Sequence, residues 1–355
     1  MICPTPCLTA QWRFYFVPHS TGVSKTFLWS AATAGLLLFA RSQSRQHYDL
    51  RRKSVLITGG SRGLGLVLAR QLVSKGARVA ICARDEQELE RAAADLRARG
   101  AVPLALVCDL RDRDDVERMI AAVNSAFGSI DVLINNAGII TVGPLEEMTL
   151  ADFAEAMDSN FWSGVYTTMA VLPGMRSRRS GRIVNITSIG GRIAVPHLLP
   201  YSASKFAFTG FSRGLRSEVA KDGIVVTTVV PGLMRTGSPR HASFKGKNEN
   251  EHAWFSIADS LPGLSMDVER AASQIIDATR RGDTQITLTL PARLAAAVDA
   301  LMPEFSGRLL EVANRCLPDP GGIGQRARKG FQSTSSASPS ILTALGDLAA
   351  ARNNE

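Results

Sequence analysis

The chain has 355 residues, 45% of them hydrophobic and 21% charged, with a formal net charge of +9. It is long for one α/β domain of roughly 250 residues, so extensions are expected, and its apolar content excludes a chain that is disordered throughout. The positive charge is scattered, in clusters such as Arg51-Arg52-Lys53 and residues 176–182, with no aromatic-interleaved basic stripe and no zinc-finger spacing, so no nucleic-acid partner is expected.

Residues 1–50 read as an extension. Within them residues 26–40 (TFLWSAATAGLLLFA) are uncharged and largely apolar, preceded by Lys25 and followed by Arg41, Arg45 and the basic patch at 51–53. The run is shorter than the roughly 20 residues of a membrane span. Trp12, Phe14, Tyr15 and Phe16 upstream could extend it into an interfacial segment. The alternatives are a cleaved signal peptide, for which no cleavage site stands out, a disordered or misassigned N-terminus, and a helix packed on the domain. If the run anchors the chain, the basic residues after it place the following domain on the cytoplasmic side. The five cysteines, Cys3, Cys7, Cys82, Cys108 and Cys316, are odd in number and irregular in spacing. Cys82 and Cys108 fall in apolar runs and read as small core residues, so neither a disulfide framework nor a metal site is expected.

From residue 51 to about 290, strands and helices alternate. Residues 54–58 (SVLIT) form a short apolar run ending in Gly59-Gly60, the pattern of a strand buried on both faces. Helical periodicity follows to Lys75 and stops at Gly76. Further strands are expected at 78–82, 102–107, 130–134, 181–187, 224–230 and 285–290. Helices are expected at 85–99, 112–127, 150–175, 201–221 and 267–281. Such alternation predicts a Rossmann-like, doubly wound parallel sheet in a single three-layer α/β/α domain, with ligands bound outside the carboxyl ends of the strands. Between Leu233 and Pro262 the pattern breaks into a polar stretch, read as a mobile, lid-like loop with a short helix. Residues 291–320 are expected to form a helical extension, and the Gly- and Ser-rich residues 321–355 a flexible tail.

Two patterns carry chemistry. Thr58-Gly59-Gly60-Ser61-Arg62-Gly63-Leu64-Gly65 joins the first strand to the first helix, where glycines permit a tight turn and let the backbone approach a pyrophosphate at the helix N-terminus. Tyr201-Ser202-Ala203-Ser204-Lys205 places a phenol and an ammonium one helical turn apart on one face. A phenol normally titrates near 10, and a neighbouring cation is expected to draw it down toward working pH, making an acid or base of it. Arg84 at the end of the second strand and Arg62 inside the glycine turn are two guanidinium groups that suit a ribose 2′-phosphate, where an acidic residue would suit a free 2′-hydroxyl. That favours NADP(H) over NAD(H), with Asp85 beside Arg84 as the competing feature.

These motifs, in this order on these elements, are similar to those of the short-chain dehydrogenase/reductase family, in its compact single-domain branch. The glycine turn matches that family's cofactor motif, Asn135-Asn136-Ala137-Gly138 its turn after the fourth strand, and Ser188, Tyr201 and Lys205 its catalytic residues. Asn160 sits where the family places an asparagine, and Pro231-Gly232 with Thr236 matches the segment after the sixth strand. The resemblance covers about residues 53–290. It implies an NADP(H)-dependent oxidoreductase acting on a carbonyl or secondary alcohol. Tyr201 would be the general acid or base, Lys205 would tune it and hold the nicotinamide ribose, Ser188 would orient the substrate oxygen, and Asn160 would hold a relay water. The cofactor would meet Thr58, Gly59, Ser61, Arg62, Gly63, Leu64 and Gly65 in the turn. It would also meet Arg84, Asp109, Leu110, Asn136, Ala137, Gly138, Tyr201, Lys205, Pro231, Gly232 and Thr236.

Val195, Leu198, Leu199, Leu233, Met234, Trp254 and Phe255 suggest an apolar substrate pocket fitting a bulky or lipid-like ketone. Two other classes compete. One is an epimerase or dehydratase of the family's extended branch, which the glycine spacing and the missing large substrate domain argue against. The other is a catalytically silent NADP-binding scaffold or redox sensor at a membrane surface, which would need none of Asn160, Ser188, Tyr201 and Lys205. The resemblance also implies pairing of helices 150–175 and 201–221 across a subunit axis, in a homodimer or homotetramer, and a cytoplasmic protein with or without an N-terminal membrane anchor.

Overall fold

A computed structural model describes residues His47–Glu355. The apolar run at 26–40, and the readings of it as an anchor, lie outside the described residues. Seven strands form one parallel sheet: β1 Ser54–Thr58, β2 Arg78–Ala83, β3 Leu104–Val107, β4 Val132–Asn135, β5 Gly181–Ile186, β6 Ile224–Val230 and β7 Gln285–Thr287. Their spatial order is β3-β2-β1-β4-β5-β6-β7. The chain leaves β1 toward one edge and returns at β4 toward the other, so the direction of winding switches between β1 and β4. In an open parallel sheet that switch opens a crevice at the carboxyl ends of the strands.

The central strands are largely apolar because both faces are covered. Val55 and Ile57 of β1, Val79 and Ile81 of β2, and Val132 and Ile134 of β4 join one core. That core also takes α1 (Gly63–Ser74), α2 (Glu86–Ala98) and α8 (Val268–Arg281). Leu56, Ala80 and Leu133, one residue out of phase, join the opposite core with α3 (Arg113–Phe127), α5 (Ser163–Ser177) and α6 (Leu199–Val219). The two-residue period of a strand sends alternate side chains to opposite faces, and each face meets a helix layer. The three-layer, doubly wound α/β architecture is therefore present.

The helix expected at 150–175 is built from α4 (Leu150–Met157), a five-residue π turn at Asp158–Trp162, and α5. The third strand begins at Leu104, since Val102 is 91% exposed at the approach to it. The last strand ends at Thr287, and α9 (Leu290–Leu301) and α10 (Pro303–Asn314) follow.

Two stretches differ from their sequence reading. Residues 233–262, expected as a mobile loop with a short helix, contain α7 (Asn248–Ser260), a thirteen-residue helix, and two short strands. Leu233–Arg235 pairs with Ser265–Asp267, and Ser243–Phe244 pairs with Thr141–Val142. Residues 321–355, expected as a flexible tail, return to the domain. Arg328–Lys329 adds to the Ser243–Phe244 strand, and α11 (Ala344–Arg352) packs beside α7. A Cβ on Gly237 would fall on the backbone of Ala350, so only glycine fits there. Among the described residues no helix is long and apolar enough to cross a membrane.

Candidate active site

One large cavity, of about 590 Å3, opens at the switch between β1 and β4. One half is walled by the glycine turn and the ends of β2 to β4, the other by the segment after β5, the start of α6, and α7.

The cradle in the first half is set by close backbone approach. Gly59 has φ +62, and a Cβ there would stand 2.9 Å from Ala137 Cα. A Cβ on Gly65 would fall on the Gly59 carbonyl oxygen. Thr58 lies behind the wall, its hydroxyl accepting from the N–H groups of Asn136 (2.9 Å) and Ala137 (3.1 Å). The Asn136 amide donates back to the carbonyls of Thr58 and Gly59, both at 3.0 Å. These bonds lock the turn after β4 to the turn after β1, and Asn136, Ala137 and Gly138 line the cavity between them. Ser61, Arg62, Gly63 and Leu64 line it from the glycine turn, Asp109 and Leu110 from the end of β3, and Pro231, Gly232 and Thr236 from the segment after β6.

Arg84 is exposed at the cavity rim. Its neighbour Asp85 caps α2, its carboxylate accepting from Glu88 N at 2.8 Å. The Asp109 carboxylate is paired with Arg111 at 2.6 Å, which holds it below the usual carboxylate range. Arg62 pairs with Glu88 at 2.8 Å and with Glu355 at 3.3 Å.

In the second half Ser188, Tyr201 and Lys205 meet. Ser188 ends the segment after β5 in extended backbone and accepts from Gly190 N at 3.0 Å. Tyr201 and Lys205 lie one turn apart near the start of α6, with the Lys205 ammonium 5.8 Å from the phenol ring centroid. Lys205 is 4% exposed and donates to the Ile186 carbonyl at 3.2 Å. Burial lowers its pKa to about 8. The expected lowering of the phenol is not what the geometry gives. Burial raises the Tyr201 pKa, and the hydrogen bond with Ser188 is what opposes the rise. The physical reason is that Lys205 lies beside the ring and donates its hydrogen bond to the Ile186 carbonyl, while the desolvated phenolate has no compensating charge.

Asn160 stands in the π turn, 1% exposed and behind the cavity wall. Its oxygen accepts from Ile139 N (2.8 Å), and its amide donates to Ile139 O (3.1 Å) and Ser204 Oγ (3.0 Å). Ser204 in turn donates to the Tyr201 carbonyl at 2.7 Å. Both amide hydrogens are thus spent on protein acceptors, and the side chain braces the turn after β4 against α6. Gly138 fits between Asn160 and Lys205, since a Cβ there would lie 2.6 Å from Asn160 Oδ1 and 3.4 Å from Lys205 Nζ. Sequence reasoning passed over Ser204, although its place three residues after Tyr201 puts it on the same face.

Val195, Leu198, Leu233, Met234, Trp254 and Phe255 do line the cavity. Leu199 is 40% exposed at the start of α6 and is not part of the wall. Asp259 was not foreseen. It lines the cavity at 5% exposure, one oxygen accepting from Met234 N at 3.2 Å and the other without a hydrogen bond. Nothing in its polar sequence surroundings marks it.

A family profile described as short chain dehydrogenase matches residues 53–245. The chain belongs to the short-chain dehydrogenase family. Among its relatives, a dehydrogenase/reductase SDR family protein 7-like of Anopheles gambiae is 35% identical over 265 residues, which are 73% of this chain and 82% of that one. The oxidoreductase BOA17 of Botryotinia fuckeliana is 38% identical over 248 residues, 70% of this chain and 84% of the relative. A chloroplastic tropinone reductase homolog of Arabidopsis thaliana is 32% identical over 219 residues, 61% and 67% of the two chains. This short-chain dehydrogenase is accordingly an oxidoreductase of a family that binds a nicotinamide cofactor. Its cradle fits such a group: Gly59 and Gly65 lie where any side chain would collide with neighbouring backbone, and the N-terminus of α1 faces the cavity.

Proposed function

We propose that the chain is an NADP(H)-dependent carbonyl reductase or alcohol dehydrogenase acting on a bulky apolar ketone or the matching secondary alcohol. One observation carries the reading: the hydroxyls of Ser188 and Tyr201 and the ammonium of Lys205 converge in the same cavity as the glycine turn. Gly59, Ser61, Arg62, Gly63 and Leu64 would hold the dinucleotide from one side, with Thr58 and Gly65 shaping the turn behind them. Asp109, Leu110, Asn136, Ala137, Gly138, Pro231, Gly232 and Thr236 would hold it from the other. The cofactor, when bound, supplies or takes the hydride.

The protein's own groups handle the proton. The substrate oxygen is oriented by the Ser188 hydroxyl, and the Tyr201 phenol gives its proton to that oxygen in reduction and takes it back in oxidation. A phenol raised by burial stays protonated near neutrality, which suits the donor role, and Ser188 limits the rise. Lys205, its ammonium 5.8 Å from the phenol ring centroid, would hold the nicotinamide ribose. Asn160 and Ser204 hold α6 in register with the turn after β4. Arg84, exposed at the rim, supports the choice of NADP(H), because Asp85 is committed to capping α2; Arg62 is paired with Glu88 and Glu355 and would join Arg84 only on release. The apolar wall from Val195 to Phe255 supports the apolar substrate.

The test is titration of NADPH and NADH into the full chain, followed by loss of nicotinamide absorbance with a panel of apolar ketones, for the native protein and Tyr201→Phe. Binding by both, with turnover at least ~10²-fold lower in the variant, is expected for a lost general acid. Binding without turnover on any ketone leaves a cofactor-binding scaffold. Absence of binding to either dinucleotide sinks the reading.

A further inference from the structure

The first helix after β1 has an N-terminus that its own sequence does not cap. Arg62 provides no side-chain cap, and no acidic residue stands in the first turn of α1. Such an end presents free N–H groups and a positive dipole to an anion. Here residues 353–355 take that place. The Gly63 N–H donates to the Asn353 carbonyl at 2.9 Å. The Glu355 side chain is 4% exposed, and its Oε2 lies 3.3 Å from Arg62 Nε and 3.7 Å from His241 Nε2. Its Oε1 lies 2.6 Å from where a Cβ of Gly63 would stand. The Asn354 amide donates to the carbonyls of Ser61 (2.8 Å) and Glu88 (3.0 Å), and Arg70 holds both Asn353 Oδ1 and the Arg352 carbonyl at 3.1 Å.

We propose that residues 353–355 are a built-in ligand of the cofactor seat, excluding the dinucleotide until they are displaced. The inference rests on the reading of the glycine turn as that seat. The Asn353 carbonyl and the Glu355 carboxylate occupy the positions that suit phosphate oxygens, and one N–H and one guanidinium cannot serve two anions fully. One group of the segment is held at a cost. Burial, opposed by Arg62, pushes the Glu355 carboxyl up to about 7, and its Oε2 carries no hydrogen bond. Holding a buried acid with an unbonded oxygen is costly, and its release frees Arg62 Nε for a phosphate while Nη1 stays with Glu88.

The test uses the full chain with Glu355→Ala and, as an independent break in the same segment, Asn354→Ala. Each is titrated with NADPH, and hydrogen exchange is followed over residues 344–355 with and without it. Removal of a competing internal ligand is expected to tighten NADPH binding by roughly 3- to 10-fold in both variants, and NADPH is expected to speed exchange over 344–355 in the native chain. Binding by a variant where the native chain shows none would support the inference too. Unchanged or weaker affinity in the variants overturns it and leaves the cofactor reading standing, the segment then being part of the seat or a bystander. Absence of NADPH binding by the native chain and both variants sinks the two together.

Discussion

Asp259 is buried in the cavity wall with one carboxyl oxygen unbonded, and burial pushes its pKa up to about 7, with the Glu355 charge adding to the rise. A carboxyl raised in the folded state binds more protons folded than unfolded between about pH 4 and pH 7. Its contribution to stability is therefore lost as pH rises through that window, because the charge must then be carried in a desolvated site. An amide in its place would mimic the neutral acid at every pH. Asp259→Asn is expected to match the native protein near pH 4 and to exceed it by about 1 kcal/mol or more at pH 8, an order-of-magnitude figure from the size of such shifts. Urea unfolding at the two pH values checks this. A difference that is the same at both would mean that Asp259 carries no titration cost. Tyr201 and Lys205 show the same rule from the other side. Their spacing is legible in the sequence, but which of burial and neighbouring charge dominates is fixed by the desolvation of the whole cavity, which no local pattern encodes.

At the scale of elements, the proposed preference for NADP(H) is tested at the end of β2. Asp85 is the N-cap of α2, with Glu86 and Glu88 following in its first turn. Its loss is expected to cost about 1 kcal/mol of stability. Asp85→Ala should leave NADH and NADPH affinities unchanged, whereas Arg84→Ala should weaken NADPH on the order of tenfold and spare NADH, the signature of a phosphate contact. Equilibrium titration of both variants with both dinucleotides is the check, and a selective loss of NADH binding in Asp85→Ala would transfer preference to NAD. The sheet itself was largely legible. The run at 224–230 is the observed β6, because a strand buried on both faces is predominantly β-branched and apolar, here with the Thr227 and Thr228 hydroxyls hydrogen-bonded. The glycine turn and the Tyr–Lys helix were legible as well, since each is a local pattern with a local cause. α7 was not: Asn248 and Glu251 are buried, and each has a partner far along the chain. Asn248 donates to Ser333, and Glu251 accepts from Trp254 while meeting His197 at 2.8 Å. Polar residues satisfied by distant partners look like a solvent-exposed loop until the fold brings those partners in. The return of residues 321–355 was hidden for the same reason. Gly322 and Gly330 read as flexible, yet each lies where a Cβ would strike the backbone of Gly246 or Pro239.

At the scale of the molecule, the described unit leaves an apolar face along the helices that flank the Tyr–Lys pair. Leu150 is 89% exposed, Met169 56%, Phe206 44% and Trp162 41%. They lie on α4, the π turn, α5 and α6. Trp162 stacks on Tyr166 and meets Phe161 edge-on, and Phe161 in turn meets Phe211. Single exposed apolar residues are ordinary, but a run of them on adjacent helices marks a surface that another subunit can cover. A symmetric dimer would bury the same patch on both subunits. It would also steady α6, which carries Tyr201 and Lys205, and the π turn, which holds Asn160. The expected outcome is a native chain that sediments as a dimer or tetramer at micromolar concentration, and a Trp162→Glu, Met169→Glu double variant that sediments as a monomer with reduced turnover and a lower melting temperature. The loss of turnover should exceed any loss of dinucleotide affinity, since the glycine turn lies on the other side of the cavity from this face. A native chain that is monomeric across the concentration range would remove the interface, and with it the claim that neighbouring subunits hold α6 in place.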